Sequence, residues 1–250
     1  NDENGNVWTG GYGTGVYCLN KHTGIRQHLT TERPGTLTTN YIYSIVEDNN
    51  KNLWFGGMYG NLIRYTPSQA GKAEQFASYG ITLINSITTV GKDTIALATA
   101  NGLYLLNKQT GNFKQYFTSP SNADTRSNSF IYSMYFPTPD KVWFGTDGGG
   151  INSFNPLTEK FIHYPSTWED KVASICQFTP GKLLISLFSQ GVFIFNPATG
   201  EKQPFTIVDA KTTALLCNRG KAVNLLRNTH HNILFLGEHI YIYDLNTRTF

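Results

Sequence analysis

Apolar residues along the chain fall into short runs bounded by Gly, Asn, Asp and Thr, and no long stripe with helical spacing is present. Runs of this length between turn residues are typical of β-strands. The clearest example is the segment 141–156, in which a strand (Val142–Gly145), a glycine-rich turn (Asp147–Gly150) and a second strand (Ile151–Phe154) follow one another. The pattern predicts β-hairpins throughout the chain.

This strand–turn–strand unit recurs at a nearly constant interval. Alignment on the position of Trp143 gives six copies 41 to 51 residues apart, at Trp8, Trp54, Ile95, Trp143, Leu184 and Phe235. A four-stranded blade of a β-propeller has a period of about 40–50 residues. The sequence therefore predicts an all-β fold, a β-propeller of four-stranded blades with six visible repeat units. The three tryptophans, with Gly56 and Gly145 of the same motif, are expected to be structural residues.

The predicted blade units cover residues 1–29, 40–79, 83–117, 129–164, 172–205 and 223–250. In five of them an Asn or Asp, followed three places on by Thr, opens a hairpin turn, at Asn20, Asn107, Asn155, Asn196 and Asp244. No innermost strand of blade one precedes Asn1, and no copy follows Phe250. Because propellers usually close their ring by sharing one blade between the two chain ends, we expect a segment of a longer multidomain chain and a ring of seven or eight blades.

Composition narrows the classes of partner. The 250 residues carry a formal net charge of +3 without any run of Lys or Arg, so neither nucleic acid nor direct membrane contact is indicated. No apolar run is long enough for a transmembrane helix, and no signal peptide opens the chain. The cysteines at 18, 176 and 217 show no metal-binding spacing and predict no disulfide; Cys18 and Cys176 are expected to be buried thiols.

The repeat is specific enough to resemble a known family. The pattern Asn-x-Ile-x-x-Ile-x-Glu-Asp-x-x-x-x-Leu-Trp-Phe-Gly, which begins at Asn40, is similar to the two-component regulator propeller repeat. Residues 2–8 and 142–151 carry the same motif. The resemblance is strong in blades one, two and four, and it is degenerate in blades three, five and six.

The resemblance implies a sensor rather than an enzyme. In this family such repeats form the extracytoplasmic sensor region of hybrid histidine kinases, with two seven-bladed propellers and a small β-sandwich before a membrane span. The implied location is the periplasm, and the implied partners are oligosaccharide ligands, further propeller and β-sandwich domains of the same chain, and a second copy in a homodimer.

Ten side chains are candidate ligand-binding residues because they lie on the face that carries the glycine-rich turns and the long links. Trp168, in the link before blade five, suits stacking on a sugar ring, with Glu169 bonding its hydroxyls. Long loops on a rigid scaffold are where binding residues concentrate. The other candidates are Tyr12, Tyr59, Asn101, Asp147, Gln190 and His239 in the turns and Arg126 and Asn128 in the link before blade four. For each of them, a loop role without ligand contact is the alternative.

Catalysis finds little support in the sequence, which predicts no cofactor, no metal site and no enzyme. His230 and His231 form an isolated pair in a tight link, and no carboxylate pair for glycoside hydrolysis can be placed. Two alternatives to a sensor stay open: a scaffold that binds no small molecule, and a propeller lyase or hydrolase with a central acid or metal site. The predicted inner strands are poor in acids and bases, since they offer Tyr43, Ser44, Tyr132, Ser133, Ser174 and Asn224.

Overall fold

The computed structural model describes residues 2, 4–33, 35–68, 72–76, 80–116, 129–138, 140–164, 171–206, 224–227, 232–236 and 240–249. Every regular element within these ranges is a β-strand, and the strands form six antiparallel sheets of three or four strands. The sheets are the blades of a β-propeller, which confirms the predicted fold class. The chain divides into two compact units, Asn1–Phe117 with Ser129–Ile131 and Thr118–Asn128 with Tyr132–Phe250.

Blades one to three lie in the first unit, and in each the strands pair in chain order. Blade one has three strands, β1 (Asn6–Gly11), β2 (Gly15–Asn20) and β3 (Arg26–Leu29). Blade two has four, β4 (Ile42–Glu47), β5 (Leu53–Gly57), β6 (Leu62–Thr66) and β7 (Lys72–Phe76). Blade three also has four, β8 (Ile84–Val90), β9 (Thr94–Thr99), β10 (Gly102–Asn107) and β11 (Phe113–Tyr116).

Blades four to six follow the same order. Blade four consists of β12 (Ile131–Thr138), β13 (Lys141–Thr146), β14 (Ile151–Asn155) and β15 (Lys160–Tyr164). Blade five consists of β16 (Val172–Thr179), β17 (Lys182–Leu187), β18 (Gly191–Asn196) and β19 (Glu201–Pro204). Blade six consists of β20 (Asn224–Arg227), β21 (Asn232–Leu236) and β22 (Ile240–Asp244). A further bridge pairs Asp244 with Thr249 after the last strand of blade six.

Within each unit the cores lie between successive blades, and the tryptophans of the repeat belong to these cores or pack against them. Trp54 is fully buried and packs forward on Ile84 and Ile87 of blade three. Trp143 is buried against Phe195 of blade five, with ring centroids 6.4 Å apart. Successive residues of a strand point to opposite faces, so these tryptophans all face the following blade.

Ile95 and Phe235 do not take the tryptophan position, contrary to the sequence alignment. Ile95 packs back on Trp54 of the preceding blade, and Phe235 packs back on Phe205, which follows the outer strand of blade five. The sequence alignment is therefore out by one residue in these two blades, and a slip of one residue moves a side chain to the other face of a sheet. Leu184, which packs toward blade six, was aligned correctly.

The motif glycines are needed for close packing between blades. A Cβ atom at Gly56 would lie 2.6 Å from the Ile84 and Ile87 side chains, and one at Gly145 would lie 2.4 Å from the Val172 side chain. Only glycine therefore allows the inner strand of the next blade to approach this closely.

A buried carboxylate secures the link before each of the first two tryptophans. The indole Nε1 of Trp54 donates to Asp48 at 2.9 Å, and that of Trp8 donates to Asp2 at 2.8 Å. Lys108, from the turn after β10, donates to the same Asp48 oxygen at 3.1 Å, and both side chains are almost fully buried. Burial opposes ionisation of Asp48, but the hydrogen bonds from Trp54, the Asn52 backbone and Lys108 outweigh it and lower its pKa.

Serines of the inner strands join neighbouring blades by hydrogen bonds. The Ser44 hydroxyl accepts from the Ile87 backbone N–H at 3.0 Å, and the Ser133 hydroxyl donates to the Val172 carbonyl at 3.1 Å. Ser174 accepts from the Leu225 N–H at 3.0 Å. The sequence placed these hydroxyls among the groups offered by the inner strands, and the structure uses them between the blades.

Candidate functional site

The link between blades one and two is fixed at both of its ends. Asn40 accepts hydrogen bonds from the Thr31 backbone through its side chain, at 2.9 Å, and from the Gly15 N–H through its carbonyl, at 2.9 Å. Two residues before Asn40, Thr38 donates to the Asn61 side chain at 3.2 Å, and Asn61 donates to the Met58 carbonyl at 3.1 Å. The link is thus tied to the glycine-rich turn of each blade, which makes this surface a rigid platform.

Four tyrosines meet on this platform, and we call Tyr12, Tyr41, Tyr43 and Tyr59 the tyrosine cluster. The rings of Tyr12 and Tyr41 are edge to face with centroids 4.9 Å apart, and Tyr41 meets Tyr59 in the same way at 6.3 Å. Tyr43 lies 6.5 Å from Tyr12. Edge-to-face packing is the favoured geometry of aromatic pairs and holds the rings in place.

The cluster is packed internally and yet open to solvent. Tyr12 is 72% exposed, Tyr59 is 71% exposed and Tyr43 is 43% exposed. Burial raises the pKa of Tyr43 above its ordinary value, and the nearby phenols of Tyr12, Tyr41 and Tyr59 raise it further. A phenol can both donate and accept hydrogen bonds, so each tyrosine of the cluster offers a polar group beside its apolar ring.

Backbone constraints underlie the positions of two of these rings. Tyr59 has a φ of +63°, in the left-handed region that non-glycine residues seldom adopt. A Cβ atom at Gly57 would lie 1.7 Å from the Tyr41 carbonyl oxygen, so glycine is required where the turn of blade two meets the inner strand. Strained backbone that the surroundings hold in place is frequent at binding sites.

A second polar cluster lies in the second unit, at the corresponding ends of blades four and five. Lys171 donates to the Tyr132 hydroxyl at 3.0 Å, lies 3.4 Å from the Asp147 carboxylate, and places its ammonium 5.9 Å from the ring centroid of Phe188. The Tyr132 hydroxyl raises the pKa of Lys171, against a smaller effect of burial, and Asp147 adds to the rise. Tyr132 occupies the repeat position of Tyr43, but its hydroxyl and Asp147 are bound by the lysine.

Asn101 and Gln190 are used within their own blades or turns. The Asn101 amide donates to the Gly80 carbonyl at 2.6 Å and to the Tyr104 hydroxyl at 3.1 Å, while its oxygen accepts from Thr99 at 2.9 Å. Gln190 accepts from Lys202 at 3.3 Å. Asn101 is thereby a residue that shapes its turn, and neither side chain joins the tyrosine cluster.

The structure brings together two of the predicted binding residues, Tyr12 and Tyr59, through two tyrosines that the prediction did not include. Tyr41 directly precedes the inner strand β4, and Tyr43, two residues on, lies at the register shift between Ile42 and Ser44 of that strand. That spacing, beside exposed tyrosines in the turns of both adjoining blades, is the signal that could have found them. Five predicted residues lie outside the described residues: Trp168, Glu169, Arg126, Asn128 and His239.

No group of three or more His, Cys, Asp or Glu side chains that could hold a metal ion occurs among the residues that the structure describes. Cys18 and Cys176 are both buried thiols, as expected, whereas Cys217 lies outside the described ranges. In the described part of the chain, no helix is long and apolar enough to cross a membrane.

The segment that carries most of the tyrosine cluster also carries the family signature. Residues 36–59, which include Tyr41, Tyr43 and Tyr59, match the family model described as two component regulator propeller. The resemblance predicted from the sequence is thus confirmed for blade two. No curated protein sequence matches the chain.

Solved structures that resemble this chain include extracellular domains from B. thetaiotaomicron. The extracellular domain of BT4673, assigned to a one component system, superposes with a TM-score of 0.76 at 22% identity, covering 96% of this chain and 31% of that one. The extracellular domain of BT3049, assigned to a hybrid two component system, has a TM-score of 0.75 at 18% identity, covering 96% and 32%. The chain thus spans about a third of the length of these domains.

An enzyme shares the architecture as well. Virginiamycin B lyase from Staphylococcus aureus superposes with a TM-score of 0.70 at 16% identity, and the match covers 96% of this chain and 76% of the lyase. At such identities the likeness shows the propeller fold alone, and function has to be argued from the site.

Proposed function

We propose that this regulator propeller is part of the extracytoplasmic sensor region of a two-component system, of the hybrid histidine kinase type, and that it binds an oligosaccharide. The regulator propeller repeat at residues 36–59 supports the signalling role. The similar extracellular domains of BT4673 and BT3049 support a location outside the cytoplasm, in the periplasm.

The observation that carries the binding proposal is the tyrosine cluster. A sugar ring presents an apolar C–H face and an edge of hydroxyl groups. Exposed tyrosine rings offer a flat apolar surface to the first and a phenolic donor and acceptor to the second. The cluster consists of phenols and contains no carboxylate, ammonium or guanidinium group, which favours a neutral saccharide over a charged one.

The rigid setting of the cluster favours affinity. The rings support one another edge to face, and Asn40 and Asn61 tie the link beneath them to both turns. A ligand therefore has few side chains to order when it binds, which reduces the entropic cost of binding. In the full-length protein, we propose that occupancy changes the geometry of a homodimer or of the further propeller and β-sandwich domains, and so reaches the kinase.

Titration calorimetry against a panel of neutral plant- and host-type oligosaccharides tests this function. We expect saturable binding to the parent chain, at least about tenfold weaker binding to Tyr12→Ala and Tyr59→Ala, and no change for Tyr17→Ala. Tyr17 is a matched control because it is also exposed but stacks on His28 in blade one, outside the cluster. A Trp168→Ala variant tests the sequence-based prediction for that residue in the same assay.

Two results would contradict the proposal. A folded chain that binds no member of the panel would favour the scaffold alternative, in which the propeller only packs on other domains. Equal loss of binding in Tyr17→Ala and Tyr12→Ala would show that the cluster is not the site. Mass spectrometry of each saccharide after incubation separates binding from the lyase or hydrolase alternative, because a sensor returns its ligand unchanged.

A further inference from the structure

The boundary between blades four and five lacks the buried ion pair that joins blades two and three. At the earlier boundary, Asp48 lies six residues before Trp54, and Lys108 follows the asparagine that opens the turn of blade three. The residue six before Trp143 is Pro137, and the residue after Asn196, which opens the corresponding turn of blade five, is Pro197. Proline therefore stands in place of both charged residues.

A cavity of about 410 Å³ lies at this boundary, and both prolines line it. Its volume falls within the range of about 300–1,000 Å³ that is usual for small-molecule sites. The two turns are otherwise alike, because the Asn107 and Asn196 side chains each accept a backbone N–H two residues on, at 2.9 and 3.0 Å. The cavity thus lies where the equivalent boundary places a carboxylate and an ammonium group.

Aromatic rings form the walls of the cavity. Tyr135, Trp143 and Tyr164 line it, and Tyr164 lies 5.5 Å from Trp143 between ring centroids. The Tyr135 hydroxyl donates to Gln177 of blade five at 3.3 Å, which provides a polar group on the same surface. Walls of this kind suit a flat or ring-shaped molecule.

Positive charge lies beside these walls. Lys141 and Lys182 line the cavity, and the Lys141 ammonium lies 4.6 Å from the centroid of the Trp143 ring. None of the described lining residues is acidic. Asp140 precedes Lys141 and interacts with it, but it is exposed and does not line the cavity. A bound molecule would therefore meet an excess of positive charge.

We propose that this cavity is a binding site for a small ring-bearing carboxylate, whose ring packs among Tyr135, Trp143 and Tyr164 and whose carboxylate pairs with Lys141 and Lys182. An aromatic acid and a uronic acid share this chemistry. The ligand would fill the space that the Asp48–Lys108 pair fills at the other boundary and would add contacts between blades four and five. The site is separate from the tyrosine cluster and does not depend on the function proposed for it.

Benzoate and glucuronate are the probes for the two sources of such a carboxylate, with benzamide and glucose as their uncharged counterparts. We expect calorimetry to detect binding of one of the acids to the parent chain, and binding of neither neutral molecule to Tyr12→Ala, in which the tyrosine cluster is impaired. Lys182→Gln, a change at an exposed position, should weaken binding of that acid by about tenfold or more, because a charge-assisted hydrogen bond is lost. Tyr12→Ala should leave its affinity unchanged.

A variant that rebuilds the missing pair provides the decisive control. Pro137→Asp combined with Pro197→Lys should fill the cavity, keep the chain folded and abolish binding of the acid. The proposal is overturned if neither acid binds the parent chain up to its solubility limit. It is also overturned if a neutral counterpart binds Tyr12→Ala as tightly as its acid does, or if the folded double variant or Lys182→Gln binds the acid as the parent does.

Discussion

Asp48 and Lys108 form a buried ion pair between blades two and three, with 3.1 Å between Oδ2 and Nζ. The same Asp48 oxygen accepts the indole N–H of Trp54, and the other oxygen accepts the backbone N–H groups of Asn50 and Asn52. One carboxylate thus holds a tight link, the main core tryptophan of blade two and the turn of the next blade. Buried pairs of this kind are sensitive to the loss of either partner.

Replacement of Asp48 by Asn should strongly destabilise the chain. Lys108 would remain buried without a counter-charge, and removal of one partner of a buried pair lowers the free energy of unfolding by about 3–5 kcal/mol. Urea denaturation followed by tryptophan fluorescence measures the loss. Asp48→Asn combined with Lys108→Met should recover much of the stability, because no isolated charge is left. A double variant as unstable as the single one would show that the charge on Lys108 is not the cause.

The pair should also make stability depend on pH at the acid end. The pKa of Asp48 is lowered in the folded state from an ordinary value of 3.8, so its ionised form favours folding. This contribution is complete above the unfolded-state pKa and is lost as the pH falls through the folded-state pKa. The stability difference between the parent chain and Asp48→Asn should therefore be constant near neutrality and shrink below about pH 4. A difference that does not change with pH would contradict this origin.

Tyr59→Gly should separate stability from binding. Glycine adopts the φ of +63° at this position without steric strain, which offsets its larger loss of chain entropy on folding. The free energy of unfolding should stay within about 1 kcal/mol of the parent value. Saccharide binding should weaken because an exposed ring is lost. Large destabilisation by this change would mean that Tyr59 is a packing residue.

Gly57→Ala should disturb the tyrosine cluster from below. The added methyl group would lie 1.7 Å from the Tyr41 carbonyl oxygen, so the inner strand of blade two has to move. We expect a lower midpoint of urea unfolding and weaker saccharide binding together. Gly200→Ala is the control for the midpoint, since a Cβ there meets nothing within 4 Å and carries only the strain of its φ of +74°.

Ser174→Ala should weaken the junction between blades five and six. The Leu225 N–H would lose its partner in a buried position, which destabilises a protein by about 1–3 kcal/mol. Thr158→Ala is the control. Thr158 lies at an exposed turn position, and its hydrogen bond to the Asn155 side chain comes from the backbone N–H, which alanine keeps. Equal effects of the two changes on the urea midpoint would contradict a specific role for the serine.

The repeat could be recognised from sequence because its marks are local. The tryptophans, the motif glycines and the asparagine turns each act within one hairpin or against the next strand, so their spacing predicts blades directly. The side of the sheet on which Ile95 and Phe235 lie could not be predicted in this way. Their blades have no tryptophan, and the tryptophan is the residue that fixes how a blade aligns with the motif. A one-residue difference in turn length is then invisible, although it reverses which blade the side chain packs on.

The candidate site could be predicted only in part for a similar reason. Tyr12 and Tyr59 stand out as exposed aromatic residues in turns. They belong to one cluster only because each of them contacts Tyr41, which the pairing of separate strands brings between them. Asn101 has the same turn position as the binding candidates, and only the fold reveals that its amide bonds Gly80 and Tyr104. Contacts between residues distant in sequence are what the pattern does not contain.

The inner-strand serines affect how easily a propeller can gain or exchange a blade during evolution. Ser44, Ser133 and Ser174 each bond to the backbone of the following blade, not to a particular side chain. Every residue type except proline offers the same N–H and carbonyl groups, so this joint needs no matched partner residue. A duplicated or exchanged blade would supply the serine hydroxyl, and the backbone of any neighbouring blade would supply the N–H or carbonyl group that bonds to it. Blade number can then change during evolution without a compensating substitution at this joint.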